Sequence, residues 1–357
     1  MIINLFKNKI IDLFKRKSTL VDGTKKHFVK LLSKQKYVTE LNYLDSNFFS
    51  SRIYDIKKFD DSVYIELSQN AQAMKHQFAQ RNLVTLLDVV IDNFTGLIYV
   101  FGRDNNLYLL KESSIWPSES LIINRPKSDP MILQAYDQLN MGLPNVGFYH
   151  LITDYLGKLI IHKKLNNNVV FANVNKLAFQ RSIYDFFEFR YIKCPRWIRV
   201  KELTFIDGGL NAGYLHPTDL QNLKLVSPKL SVRNSYHNSK IYISRLMSRR
   251  SNINEKNLQT ELEKNGFEVV FPEKLSFGEQ VSIFKNAKLI IGLHGAGLVN
   301  SIWSEKPKVI ELMPLNRINK CFEWITLLNG GTYSRIDYKP WRTNTDILIK
   351  EILKRVD

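Results

Sequence analysis

Residues 288–312 read KLIIGLHGAGLVNSIWSEKPKVIEL. The apolar run from Leu289 ends in a glycine-rich turn, and a further apolar stretch begins at once. A strand buried on both faces reads as such a continuous run, and KVIEL (308–312) repeats the pattern. Working outward, KIYIS (240–244) and EVVF (268–271) read as two earlier strands. Asn252 and Glu255 have capping-box spacing before a helix that stops at Gly266. Ser276 and Glu279 repeat the device before a helix running through Ala287. HGAG then opens a short helix through Trp303. Strands alternating with helices in this way specify an α/β domain with a doubly wound parallel sheet.

In such sheets ligands sit outside the carboxyl ends of the strands, where helix N-termini offer backbone N–H groups and a positive dipole end to an anion. The turn His294-Gly295-Ala296-Gly297 falls there, so it is a candidate phosphate site, with His294 able to donate a hydrogen bond. The plainer reading is a tight turn that needs its glycines only for backbone geometry. A dinucleotide fingerprint fails at its third glycine, where Asn300 stands. An esterase oxyanion loop is disfavoured because the chain has no G-x-S-x-G elbow. Glu311 ends the following strand and could accept both hydroxyls of a ribose, or sit in a surface ion pair. Arg245, Arg249 and Arg250 follow the first strand of this domain. A guanidinium there can clamp a diphosphate bidentately, Arg245 being the preferred ligand.

A second candidate site lies upstream, in Phe148-Tyr149-His150-Leu151-Ile152-Thr153-Asp154. On a helix His150 and Asp154, four apart, share a face. A carboxylate or neutral imidazole can take a proton from an attacking hydroxyl. An ordinary i,i+4 surface pair has the same spacing. Around this segment, SVYIEL, TLLDVVID, TGLIYVFG, LYLL and ESLII between Ser62 and Ile123 read as strands. Gly147–Lys164 reads as a long helix, VVFA (169–172) as a strand, Lys176–Glu188 as a helix and 197–207 as a strand. This alternation predicts parallel pairing here too. Gln221–Asn238 is polar and poorly periodic, as a connection between two domains would be.

The chain has 357 residues, 44% of them hydrophobic, and a formal net charge of +17. That length suits two domains, and that excess of positive charge suits an anionic partner. Cys194 and Cys321 are the only cysteines. They exclude a disulfide framework and a cysteine-based zinc motif, and they suit a reducing cytosol. No apolar run is long enough to cross a membrane as a helix, and Lys7 and Lys9 break up any signal-peptide core, so a cytoplasmic location is expected. Residues 1–37 carry ten Lys/Arg against two Asp/Glu. Ile3, Phe6, Ile10, Leu13 and Phe14 recur there at helical spacing. An apolar stripe beneath a basic face fits a helix lying on anionic lipid at the inner face of the cytoplasmic membrane; it also fits a helix packed on the N-terminal domain. The basic residues are not interleaved with aromatics in a nucleic-acid-binding pattern, so no nucleic-acid partner is expected.

From Ile243 to Pro314 the chain resembles the C-terminal domain of glycosyltransferase family 61, which includes bacterial capsular-polysaccharide transferases and eukaryotic O-linked GlcNAc transferases. The matching residues are Ile243-Ser244-Arg245, Arg250 with Asn254-Glu255, Gly266 to Val270, Leu275-Ser276-Phe277 with Glu279-Gln280, and Ala287. They continue through Ile291 to Leu298 with Asn300, and Val309 to Leu312. Tyr149, His150 and Asp154 are similar to the family's aromatic–His–x–x–x–Asp run, with Gly147 or Phe148 standing where Asn is usual.

The resemblance implies an α/β protein of GT-B architecture, two Rossmann-like domains facing each other across a cleft. It implies inverting transfer from a nucleotide-sugar donor, commonly a UDP-sugar, with no cofactor and no divalent metal. His294, Gly295, Ala296, Gly297 and Asn300, with Arg245 and Arg250, are implied to hold the donor's phosphates, and Glu311 its ribose. Asp154 or His150 is implied to serve as the base toward a glycan or lipid-linked glycan of a bacterial capsule or lipopolysaccharide. The expected organisation is a basic segment (1–37), an acceptor-side domain (38–225), a donor domain (239–340) and a C-terminal helix (341–357) packing back on the N-terminal domain. An NAD(P)-dependent enzyme and a basic nucleic-acid-binding protein are the rival readings.

Overall fold

In the computed structural model the apolar runs at the two ends of the quoted stretch become neighbouring strands. The structure describes residues 38–44, 47–69, 72–113, 126, 129, 133–143, 146–165, 171–173, 177–207, 213–226, 239–247, 253–316, 318–340 and 342–356. The basic amphipathic reading of 1–37, Arg249, Arg250, Asn252 and the ESLII run all lie outside these residues.

The strands in chain order are β1 (Val38–Thr39), β2 (Arg52–Asp60), β3 (Val63–Gln69), β4 (Gln72–Phe78), β5 (Arg81–Asp92), β6 (Leu97–Phe101), β7 (Leu107–Leu110) and β8 (Ala135–Leu143). They continue with β9 (Phe171–Asn173), β10 (Tyr191–Lys193), β11 (Trp197–Ile206), β12 (Lys240–Ile243), β13 (Glu268–Val270), β14 (Leu289–Leu293), β15 (Lys308–Pro314) and β16 (Thr332–Tyr338). A helix starts as an α-turn, α1 (Phe148–His150), passes through a π-helical stretch, Leu151–Leu156, and ends as α2 (Gly157–Leu165). The others are α3 (Ala178–Phe186), α4 (Pro217–Val226), α5 (Glu255–Lys264), α6 (Phe277–Asn286), α7 (Cys321–Leu328) and α8 (Thr345–Leu353).

The C-terminal sheet has the order β13-β12-β14-β15-β16 with every pair parallel, a doubly wound arrangement. β14 is buried along its whole length, as its unbroken apolar run requires. Ser276 caps α6 in a complete capping box with Glu279. The cap of α5 is Asn254, whose side chain accepts the Asn257 N–H, so the box expected at Asn252 is corrected to a cap two residues later. Gly266 closes that helix with φ of 80°. The helix after HGAG is a 3₁₀-helix, Ala296–Trp303. β16 went unread in the sequence because TYSRIDY is a half-buried edge strand and lacks a long apolar run.

The N-terminal sheet differs from the expected parallel unit. Its order is β1-β7-β6-β5-β11-β8-β9-β10, with β2 also along β5. The β5–β11, β2–β5, β5–β6 and β6–β7 pairs are antiparallel, while β8–β11, β8–β9, β9–β10 and β1–β7 are parallel. The physical reason is connection length. A parallel neighbour needs a long crossover, whereas β5 reaches β6 through Asn93–Gly96, and Gly96 supplies φ of 77° for that turn. This sheet is therefore mixed, and it is not a second Rossmann-like parallel sheet.

Two further readings change. Gln221–Val226 forms the last turns of α4, so the connection that the polar composition suggested cannot start before 227. Helix α8 packs Leu348, Ile349 and Ile352 with Leu258, Leu262, Ile310 and Leu312, on the C-terminal sheet. Its apolar stripe finds the nearer face, and it does not return to the N-terminal domain.

One buried cluster joins Leu86, Leu151, Ile152 and Phe205 of the N-terminal half with Ile243, Phe277, Ile302 and Trp324 of the C-terminal half. Hydrogen bonds also cross between the halves: Trp324 Nε1 donates to Leu215 O at 3.1 Å, and the Phe277 N–H donates to Ser182 Oγ at 3.0 Å. Among the described residues no helix is long and apolar enough to cross a membrane.

Candidate active site

The π-helical stretch sets the first half of the site. Its wider turn is a local departure of the kind that clusters at functional positions. His150 Nδ1 lies 2.7 Å from Asp154 Oδ2, so the shared face expected from the spacing is a direct contact. It is not a surface pair, because the Asp154 side chain is only 2% exposed against 29% for His150. The second carboxylate oxygen, Oδ1, accepts the Gly213 N–H at 3.1 Å, and the Tyr149 hydroxyl donates to the Gly213 carbonyl at 2.5 Å. Gly213 adopts φ of 85°, a left-handed conformation that favours glycine. Both oxygens of Asp154 are thus engaged. An acceptor-only carboxylate in that position makes Nδ1 the donor and leaves Nε2 as the imidazole's basic atom.

The second half is the carboxyl edge of the parallel sheet. The His294 N–H donates to Leu312 O at 2.9 Å, extending the β14–β15 ladder by one step. Its Nδ1 lies 2.5 Å from Glu311 Oε1, and the other Glu311 oxygen accepts the Tyr333 hydroxyl at 2.6 Å. Glu311 is completely buried. A ribose role for it is corrected accordingly: both oxygens are occupied by protein groups, so the carboxylate acts on His294. Burial first, then the charge of Glu311, raises the pKa of the Tyr333 phenol far above its ordinary value, so it remains a donor at neutral pH. Cys321 is pushed up to about 12, chiefly by burial, and Tyr149 is raised well above its usual range by burial.

Arg245 is anchored at both ends. Its backbone N–H donates to Glu255 Oε1, which also accepts the Tyr242 hydroxyl at 3.0 Å, and its Nη1 donates to the His294 carbonyl. The guanidinium lies so close to the loop that a Cβ added at Gly295 would sit 2.8 Å from Nη1. A Cβ at Gly297 would sit 3.0 Å from Ile243 Cγ2. These glycines therefore make room for Arg245 and for close helix–strand packing. Gly295 itself is extended, with φ of 172°. Among the described residues no protein acceptor takes the N–H groups of Gly295, Ala296 or Gly297, while the Leu298 N–H turns back to Gly295 O at 3.0 Å. Asn300 does not belong to this edge. It is fully buried, donating to Gln280 Oε1 at 3.0 Å and accepting from Trp303 Nε1 at 3.2 Å, so its expected phosphate contact is corrected to a packing role.

Phe322 brings the halves together. Its ring centroid is 5.4 Å from that of His294 and 5.3 Å from that of Tyr149, and Tyr149 is 5.4 Å from His150. Two imidazole–carboxylate pairs thus converge from opposite halves of the chain. Tyr333, Phe322 and Gly213 escaped sequence reasoning; only the alternating pattern of β16 hinted at the first. Among the described residues no three His, Cys, Asp or Glu side chains are grouped to hold a metal ion.

Residues 148–310 match the family model described as Glycosyltransferase 61, a span that runs from the π-helical motif to β15. No curated protein matches the chain. Among solved structures it is similar to a CMP N-glycosidase of Clostridium botulinum, BcmB, with 15% identity. That likeness covers 32% of this chain and 98% of the other, at a TM-score of 0.24.

Proposed function

We propose, for a chain that carries a glycosyltransferase 61 domain and is by that match a glycosyltransferase, an inverting, metal-independent transfer from a nucleotide sugar, with UDP as the nucleotide. The observation that carries the reading is the set of backbone N–H groups at Gly295, Ala296 and Gly297, which find no acceptor among the described residues and stand beside Arg245 and His294 at the carboxyl edge of β14. Such a cluster suits the diphosphate, whose negative charge builds as the sugar leaves.

The acceptor hydroxyl gives its proton to His150 Nε2 while its oxygen attacks the anomeric carbon from the side opposite the phosphate. The carbon–oxygen bond to the diphosphate breaks, and the electron pair leaves with the nucleotide onto the loop, Arg245 and His294. Asp154 orients His150 and balances the imidazolium, since both of its oxygens are held by protein groups. The two halves correspond in this reading to an acceptor side (38–225), built on the mixed sheet, and a donor side (239–340), built on the parallel one, which meet at the aromatic bridge between the two imidazole–carboxylate pairs. The acceptor is a glycan or lipid-linked glycan of a bacterial capsule or lipopolysaccharide, met at the cytoplasmic face of an anionic membrane. The +17 charge supports that partner.

The test is a screen of nucleotide diphosphates and nucleotide sugars for thermal stabilisation. UDP should raise the melting temperature and NAD should not; the reverse result would sink the reading. His150→Gln should retain UDP binding and lose roughly 10² to 10⁴ in transfer rate, and a turnover close to wild type would remove His150 from the role of base.

A further inference from the structure

Glu311, Tyr333 and Gln69 form a hydrogen-bonded line behind His294 that the transfer chemistry described above leaves unused. Gln69 ends β3, at the tip of the β3–β4 hairpin of the N-terminal half. Its side chain reads the exposed edge of β16 as a strand would. Gln69 Nε2 donates to the Tyr333 carbonyl at 2.8 Å, and Gln69 Oε1 accepts the Tyr333 N–H at 2.9 Å. Both polar groups of one edge residue are thereby tied to the other half of the chain. The same Tyr333 sends its hydroxyl to Glu311, and Glu311 meets His294 Nδ1. Tyr333 is nearly buried, and its phenol stays protonated, so Glu311 receives a hydrogen bond there and keeps its remaining oxygen for the imidazole.

We infer that Tyr333 and Gln69 are positioning residues for His294. They hold Glu311 and the strand edge in register, so that Nδ1–H points into the protein and Nε2 faces the donor's phosphate, to which it donates once the ring takes up a second proton. The inference rests on the proposed donor site. It adds that the geometry of a C-terminal phosphate ligand is set by a hairpin of the N-terminal half, so the two halves must be docked for the donor site to be complete. A ring whose Nδ1 is fixed by a buried carboxylate has one tautomer and one orientation. Loosening the carboxylate returns rotational freedom to the imidazole.

The experiment uses the full chain, ¹⁵N-labelled, and two shape-preserving variants, Tyr333→Phe and Gln69→Leu. The low-field imidazole N–H resonance is assigned by its disappearance in His294→Gln, and UDP affinity is measured by calorimetry on the same samples. The inference expects that resonance to shift or broaden in both variants. It also expects UDP to bind about two- to tenfold more weakly in each, the loss that one orienting hydrogen bond implies. Circular dichroism keeps a folding defect from being read as a positioning effect, and Gln69, at a hairpin tip, serves as the second variant should Tyr333→Phe unfold. A wild-type resonance that is absent, or unmoved in both variants, overturns the inference, as does an unchanged UDP affinity beside a shifted resonance. A wild-type chain that shows the shifts but binds no UDP overturns the donor reading and leaves the hydrogen-bonded line standing.

Discussion

Gly295 decides how much of the proposed donor site survives a small change. The nearest atoms an added Cβ would meet belong to the guanidinium of Arg245, so the first obstacle is the far end of a flexible side chain. Gly295→Ala should accordingly fold with a melting temperature near wild type and lose most of its UDP affinity, because Arg245 is pushed off the His294 carbonyl. Calorimetry and a thermal melt on the same sample check this; an alanine variant that binds UDP normally would show that the placement of Arg245 does not matter. His150, Asp154, Arg245 and His294, singled out by type and spacing, were legible as polar groups, and each is hydrogen-bonded in the folded chain. Their partners were not. Glu311 reads as a strand-end carboxylate, and only its complete burial between His294 and Tyr333 shows that it faces inward.

At the level of elements, local signals were reliable where a single segment contains its own reason. Ser276 and Glu279 satisfy each other's helix-end groups within one turn, and the capping box was therefore readable directly. Ser276→Ala should lower the stability of the chain by about 1 kcal/mol, measured as a shift in urea midpoint with unchanged slope. An unchanged midpoint would mean that Glu279 holds the helix end alone. The misplaced cap of α5 shows the limit of such signals. Asn252 and Asn254 are both acceptable cap residues by type, and the choice between them belongs to Glu255, which turns away from the cap to hold the Arg245 N–H and the Tyr242 hydroxyl.

Across the whole molecule, the buried polar groups between α2, α4 and β5 set the response to acid. Arg81 is 1% exposed and donates to Asp219 Oδ1 at 2.8 Å and, through Nε, to Asp60 Oδ2 at 2.8 Å. Beside it, burial lowers the Lys158 ammonium from its ordinary value, with the Arg81 charge adding to the effect. Burial pushes His162 down to about 4, and His216 down to about 3. Both imidazoles are neutral in the folded chain at neutral pH, whereas in the unfolded chain they take up protons below pH of about 6.5. The unfolded state binds more protons in that window, so stability falls as the pH drops from about 6.5 toward 4. For His162 alone the loss at pH 5 is about 2 kcal/mol. Urea midpoints at pH 7 and pH 5 should show the drop, and His162→Leu should show a smaller one; equal slopes with pH in the two proteins would refute the assignment.

The parallel C-terminal sheet, its capped helices, the glycine loop and the two histidine-bearing motifs follow from the order of residues alone. Each of these is written in periodicity, caps or spacing within one segment, where the energetic reason and the residues coincide. That the N-terminal sheet is mixed and that Glu311 serves His294 came to light in the folded chain. It alone showed that Gly295 yields its space to Arg245, and that α8 stays with its own sheet. Those outcomes depend on which distant surfaces meet, such as Gln69 against the edge of β16 or Phe322 between Tyr149 and His294, and no local pattern encodes a contact whose two sides are separated by most of the chain.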